Sequence, residues 1–393
     1  MKFTFEDGML CLFPKGRIDS TNAADFEQEL TRMISEHPGA ALVLDAAELD
    51  YISSAGLRVL LRQRKAQGEE LTVRNVSPAL YEIFEITGFT SLLNVEKALR
   101  FLSVAGLEQL GAGVHSTVYR LDGESILKVV KDMTLEAIRA EMQVSKKALF
   151  HGVPTAISYD VVRTEEGYGE VYELFRAGVL SAAVMAEPER REEYLDQFVA
   201  MYRQIHSVEI GEGELDSVRD RYLAAAEALA PLVSPEELTL VRRMIEAVPE
   251  GHSFIHGDFH MNNVMLQDGE LLLIDVGEAG RGHPLFDFAQ TEWAYLMATD
   301  YSPERCERVT GMSLEEARYV HKRLFPLYFG AAGDAAERKL AVVNGMAMLR
   351  RLLIPFLQNW NEASEAVCER LPGARQDFFP RINALCELIK SEF

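Results

Sequence analysis

The chain has 393 residues, a formal net charge of -21, 48% hydrophobic and 26% charged residues, and four cysteines. That length exceeds one ordinary core and implies two or three domains, and the composition is that of a globular protein without low-complexity tracts. The acidity argues against a nucleic-acid backbone or an anionic membrane as partner, and no uninterrupted apolar run of about 18 residues marks a membrane span. The opening "MKFTFEDGML" lacks the apolar centre of a signal peptide. Cys11, Cys306, Cys368 and Cys386 have no metal-ligand spacing. They read as buried, reduced thiols of a cytoplasmic protein.

Strands and helices alternate over the first hundred residues. "MLCLFPKGRI" reads as strand and turn, "NAADFEQELTRMI" as a helix with Ser20, Thr21 or Asn22 for its N-cap, and "AALVLDA" as a strand buried on both faces. "SAGLRVLLRQRKAQG" is a helix closed by Gly68, "LTVRNV" a strand, and "PALYEIFEITG" a helix between Pro78 and Gly88. "VEKALRFLSVAG" reads as one more short helix, so the boundary near Ser103 is expected to be a short helical junction. From Gly106 the pattern changes. "LEQLGAGVHSTVYRLDGESILKVV" reads as a glycine-turned hairpin and a strand, "TLEAIRAEMQVSKKALFHG" as a helix, and "GYGEVYELF" as a strand ending in a hinge. Beyond Gly178 the pattern is mainly helical. A small β-rich lobe feeding a larger helical lobe is expected.

The chemistry concentrates in "FIHGDFHMNNVMLQDGELLLIDVGEAG", residues 254–280. Asp258 suits a carboxylate that orients a hydroxyl and accepts its proton, while Asn263 and Asp275 offer the hard oxygen ligands that Mg2+ takes. A hairpin with an Asp-Gly turn between them would return Asp275 to the side of Asn263. Upstream, "GAGVHSTVY" places Gly111 and Gly113 where backbone N–H groups can approach phosphates. Lys128 in "ILKVV" is an ammonium inside an apolar strand and needs a carboxylate partner. Glu141 on the next helix can supply it, with Glu136 as the second choice. Each feature alone is also met in plain turns and structural ion pairs; their order is what carries weight.

Together these residues resemble the aminoglycoside phosphotransferase branch of the protein-kinase-like fold over about residues 106–393. The resemblance implies an ATP- and Mg2+-dependent phosphotransferase, with a small lobe over about 106–175 and a helical lobe over about 176–393. By position it implies Asp258 as catalytic Asp, Asn263 and Asp275 as Mg2+ ligands, and Lys128 on the phosphates, oriented by Glu141. It further implies Gly111, Gly113 and Ser116 around the nucleotide, backbone near Glu173 to Phe175 for adenine, and His256 and Asp287 as braces. "IDVG" stands where protein kinases have Asp-Phe-Gly, and about a dozen residues separate Asp275 from Asp287. That leaves no room for a peptide-docking segment and favours a small-molecule acceptor.

Residues 1–102, with "LDYISSAGLRVLL", resemble an α/β STAS domain of the anti-sigma factor antagonist type. The resemblance implies Ser54 as a phosphosite and an anti-sigma factor or kinase as partner, although Ser53 or Ser54 could equally cap the helix. A Ser/Thr protein kinase acting on a STAS serine, or a signalling scaffold, is the alternative to a small-molecule kinase.

Overall fold

The computed structural model describes every residue except 7, 69–70, 113–115, 132, 177, 268, 301 and 331, and only the backbone of 67 and 297–300. Two compact units divide the chain, Met1–Leu102 and Ser103–Phe393.

In the first unit β1 (Lys2–Glu6), β2 (Met9–Phe13), β4 (Ala41–Asp45), β6 (Thr72–Val76) and β7 (Asn94–Lys97) form one sheet in that order. β1 is antiparallel to β2, and the other neighbours are parallel. A second small sheet pairs β3 (Lys15–Ile18) with β5 (Glu48–Ile52). Helices α1 (Ala23–Glu36), α2 (Ser54–Gln67) and α3 (Pro78–Ile86) supply the crossovers. Leu12, Leu44 and Val73 from the sheet meet Leu30, Leu60 and Phe84 from the helices in one core. Gly56 is required where α2 begins, because a Cβ there would stand 2.7 Å from the side chains of both Ile18 and Ile52. Gly68 ends α2 in the left-handed conformation.

One expected helix is absent. Residues 94–97 are strand β7 and residues 100–101 a two-residue strand, β8 (Arg100–Phe101). Val95 pairs beside Val73 on an open parallel edge, and that pairing overrides a weak helical pattern. The cysteines also need a correction: Cys11, Cys306 and Cys386 are buried, but Cys368 is exposed.

The second unit opens with the strands β9 (Glu108–Ala112), β10 (Ser116–Arg120), β11 (Ser125–Val130), β12 (Ser158–Thr164) and β13 (Gly167–Glu173), in the antiparallel order β12–β13–β11–β10–β9. Helix α4 (Leu135–Phe150), capped by Thr134, lies between β11 and β12 in the chain. The remainder is helical: α5 (Leu180–Ala186), α6 (Arg191–His206), α7 (Val218–Leu229), α8 (Pro235–Ala247), α9 (Leu285–Asp300), α10 (Pro303–Thr310), α11 (Leu314–Phe329), α12 (Asp334–Leu357), α13 (Ala363–Asp377) and α14 (Ile382–Glu392). Between α8 and α9 the short strands β14 (Ser253–Ile255), β15 (Val264–Gln267), β16 (Glu270–Leu273) and β17 (Gly280–Gly282) frame the stretch that carries the chemistry. Its Phe259 ring stacks on Phe198 and on Tyr202, with centroids 4.5 and 4.0 Å away. Helix α12 is long and apolar enough to span a bilayer, yet 61% of its most apolar window is buried among its neighbours.

Candidate active site

The loop after β14 is held by one buried carboxylate. Asp287, in the first turn of α9, accepts the backbone N–H of His256 at 2.9 Å and that of Gly257 at 2.8 Å, and lies 3.1 Å from His206 Nε2. Burial works against its charge, but His206, His256 and these amides hold its carboxyl below the usual range. His256 is fully buried, and burial keeps its imidazole from charging. Its Nδ1 accepts the Asp258 N–H at 3.2 Å, so its Nε2 must donate to the Ile274 carbonyl at 3.2 Å. The ring thereby ties the residue before Asp275 to Asp258 itself. Gly257, at φ +84, passes so close to Glu278 that a Cβ would stand 2.8 Å from its carbonyl oxygen.

Asp258 is ringed by donors. Asn263 Nδ2 reaches its carboxylate at 3.1 Å and its carbonyl at 3.0 Å, Gln290 Nε2 donates to it at 2.5 Å, and His260 Nε2 lies 3.5 Å away. Burial pushes the carboxyl up, but His260, His256 and Gln290 together pull it well below its ordinary value. With its amide nitrogen turned to Asp258, Asn263 has its side-chain oxygen for another ligand. The β15–β16 hairpin then doubles back so that the Ile274 N–H meets the Asn263 carbonyl at 3.0 Å. Asp275 follows in the left-handed conformation, φ +56, which an aspartate tolerates better than most residues.

Lys128 Nζ is 2.5 Å from Asp275 and 3.9 Å from Glu141. Burial works against its charge, but Asp275 and Glu141 more than offset it and raise the ammonium above its ordinary value. Glu136 is exposed in the first turn of α4, so Glu141 is the partner the helix presents. Gly111, Ser116, Lys128, Glu141, Glu173, Phe175, Asn263 and Asp275 all line one cleft of about 920 Å³, while Gly113 lies outside the described residues. At the end of β13 the amides of Glu173 and Leu174 already donate to the Ile157 and Glu124 carbonyls, at 3.1 and 2.8 Å. Ser54 stands apart in the first unit: Ser53 caps α2 through the Gly56 N–H at 3.4 Å, leaving Ser54 exposed as the first helical residue.

Four residues here escaped the sequence reading. Gln290 sits three positions after Asp287, one turn along the same helix face, and that spacing was a usable signal. Gly277 lies under Glu141, whose side chain would be 2.3 Å from an added Cβ. Glu170 is a charged position at the centre of β13, paired directly with Lys128 and fully buried. Arg350, on α12, donates to the Gly257 carbonyl at 3.2 Å, and nothing near it in sequence pointed to that contact.

The model of the phosphotransferase enzyme family matches residues 106–308, and that of the STAS domain residues 1–102. Over 101 residues the chain is 43% identical to BtrV of Bordetella bronchiseptica, described as an anti-sigma factor antagonist, covering 85% of that protein and 24% of this one. Among solved structures, a choline/ethanolamine kinase family protein from Mesorhizobium loti is 16% identical, with a TM-score of 0.46 over 73% of this chain and 93% of that one. The gentamicin complex of APH(2")-IIa is likewise 16% identical, with a TM-score of 0.46 over 77% and 97%. Neither of these two likenesses bears on the assignment, which rests on the family models. The chain belongs to the phosphotransferase enzyme family and carries a STAS domain ahead of its phosphotransferase unit.

Proposed function

We propose that the second unit transfers the γ-phosphoryl group of ATP to a hydroxyl of a small molecule, and that the STAS unit serves regulation or partner binding. One observation carries the reading: Lys128, Asn263 and Asp275 converge from three separate segments on a single cleft, and Asn263 Nδ2 holds the Asp258 carboxylate beside them at 3.1 Å. Asp258 keeps its carboxylate ionised and oriented by three donors, so it can accept the hydroxyl hydrogen bond and take the proton as the new P–O bond forms. The bond from the γ-phosphorus to its bridging oxygen breaks, and Lys128 steadies the remaining phosphates. The donor set fits Mg2+: a carboxylate from Asp275 and a neutral oxygen from Asn263 leave the other positions to phosphate and water. When bound, the ion would neutralise phosphate charge.

Similarity to an anti-sigma factor antagonist supports a partner-switching role for the first unit, with Ser54 as its phosphosite. Its exposure and its freedom from capping favour that role. Incubating the purified chain with labelled ATP and a panel of hydroxyl compounds, followed by intact-mass analysis of the protein, tests both units. Label in a small molecule is expected. Label only in protein serine would replace this reading with a protein kinase, and no transfer to either would refute it.

A further inference from the structure

Beside the catalytic loop lies a cavity of about 160 Å³, bounded by α7, α12, Gly257 and the Gly277–Glu278 turn. Two arginines line it, Arg221 from α7 and Arg350 from α12. Arg350 is only 4% exposed. Its Nη1 donates to the Tyr222 hydroxyl and its Nη2 to the Gly257 carbonyl, both at 3.2 Å. Arg221 Nη1 donates to the Glu278 carbonyl at 2.9 Å. The Nε of each arginine is buried with no hydrogen-bond partner among the described residues.

The carboxylate lining the cavity with them is a loose counterion. Glu278 stands 3.6 Å from Arg350, is 45% exposed, and accepts Gln358 Nε2 at 2.8 Å. Asp216 acts on Arg221 from outside the lining. Even so, burial and the neighbouring Arg350 pull the Arg221 guanidinium below its ordinary value. Two desolvated cations with unmet N–H donors are costly, and an entering oxyanion would relieve that cost through charge-assisted hydrogen bonds. The space equals that of about five waters, enough for a carboxylate or phosphate group and too little for a nucleotide. One wall is the residue preceding Asp258, and the Asp258 carboxylate acts on Arg350 through space, after Tyr222 and Glu278.

We infer that this cavity is an oxyanion subsite next to the catalytic loop, and that the acceptor is a hydroxyl compound which also carries a carboxylate or phosphate group. This depends on the reading of Asp258 as the acceptor-orienting carboxylate. An anion held by Arg221 and Arg350 would also steady the Gly257 carbonyl, and with it the position of Asp258.

Titration calorimetry of the full chain with inorganic phosphate, at saturating ADP so that the nucleotide cleft is filled, tests the subsite without any acceptor. The wild type is expected to bind phosphate, and Arg221→Met to weaken binding by about tenfold or more. Glu278→Gln removes the competing carboxylate and is expected to tighten it. Arg350→Met is expected to weaken it too, with Arg350→Lys measured beside it because loss of the Gly257 contact can disturb folding. No phosphate binding by the wild type, or undiminished binding by Arg221→Met, would overturn the subsite. In an acceptor screen with ATP, phosphorylated or carboxylated hydroxy compounds are expected to react faster than uncharged counterparts, an advantage lost in Arg221→Met. Equal rates would sink the assignment of the anion to the acceptor and leave a site for free phosphate. A chain that binds phosphate but transfers nothing would refute the transferase reading and keep the subsite.

Discussion

At the scale of single residues, the site is organised by hydrogen bonds whose direction is forced. Asp258 accepts from Asn263 and Gln290, so its charge has a fixed orientation before any substrate arrives. Asp258→Asn keeps the shape but removes the carboxylate proposed as proton acceptor. Transfer is expected to fall on the order of 10²-fold or more with nucleotide affinity nearly unchanged, read from steady-state kinetics beside a nucleotide titration. Turnover near the wild-type rate would remove Asp258 from its role. Gly277→Ala acts from the other side of the cleft. The added methyl would meet the Glu141 carboxylate, which must leave its place near Lys128. Metal-dependent nucleotide affinity is expected to drop about tenfold, the cost of one weakened charge-assisted contact. An unchanged affinity would show that Glu141 does not orient Lys128.

At the scale of elements, the β11–β13 pair sets Glu170 directly across from Lys128, on the face that α4 covers. Burial first, and then the nearby Glu141, push the Glu170 carboxyl up to about 7. A folded-state value above the unfolded one means that the fold takes up a proton as pH falls from about 7 toward the ordinary glutamate value. The stabilisation from that proton is present at low pH and lost as pH rises through about 7. Glu170→Gln, always neutral, is therefore expected to melt higher than the wild type at pH 8, by on the order of 2 kcal/mol. The gap should close by about pH 5, in paired melting curves across that range. A variant less stable than the wild type at pH 8 would mean that ionised Glu170 is a needed partner of Lys128.

At the scale of the whole molecule, two units with separate cores share one chain. Ser54 is exposed at the start of α2, where free N–H groups and the helix dipole accommodate a phosphate. A phosphate there adds about -1.5 to -2 charge to an already acidic chain. Ser54→Asp is expected to change partner capture or phosphotransfer, while Ser54→Ala matches the unphosphorylated wild type. Pull-downs and turnover measured on both variants decide it. Identical partners and rates for all three would reduce Ser54 to an ordinary helix residue.

What was legible in the sequence was local. Asp258, Asn263 and Asp275 lie within 18 residues of one another, on a loop and a hairpin whose turn residues announce their geometry, and Gly68 and Pro78 mark helix ends for the same reason. The helix expected over residues 95–106 failed because partnership with β6, and not the segment's own periodicity, decided the form of its first residues. Arg350 meets Gly257 across 93 residues, and Glu170 gains its raised carboxyl from burial and then from Glu141 on another element. Such contacts depend on how helices and strands pack, and burial then decides which charges are costly. Sequence by itself determined the two folds and the order of the chemical groups. Tertiary structure alone placed the buried Arg350 and the half-buried Arg221 beside the loop that carries Asp258, because desolvation and proximity arise only once distant segments share one interior.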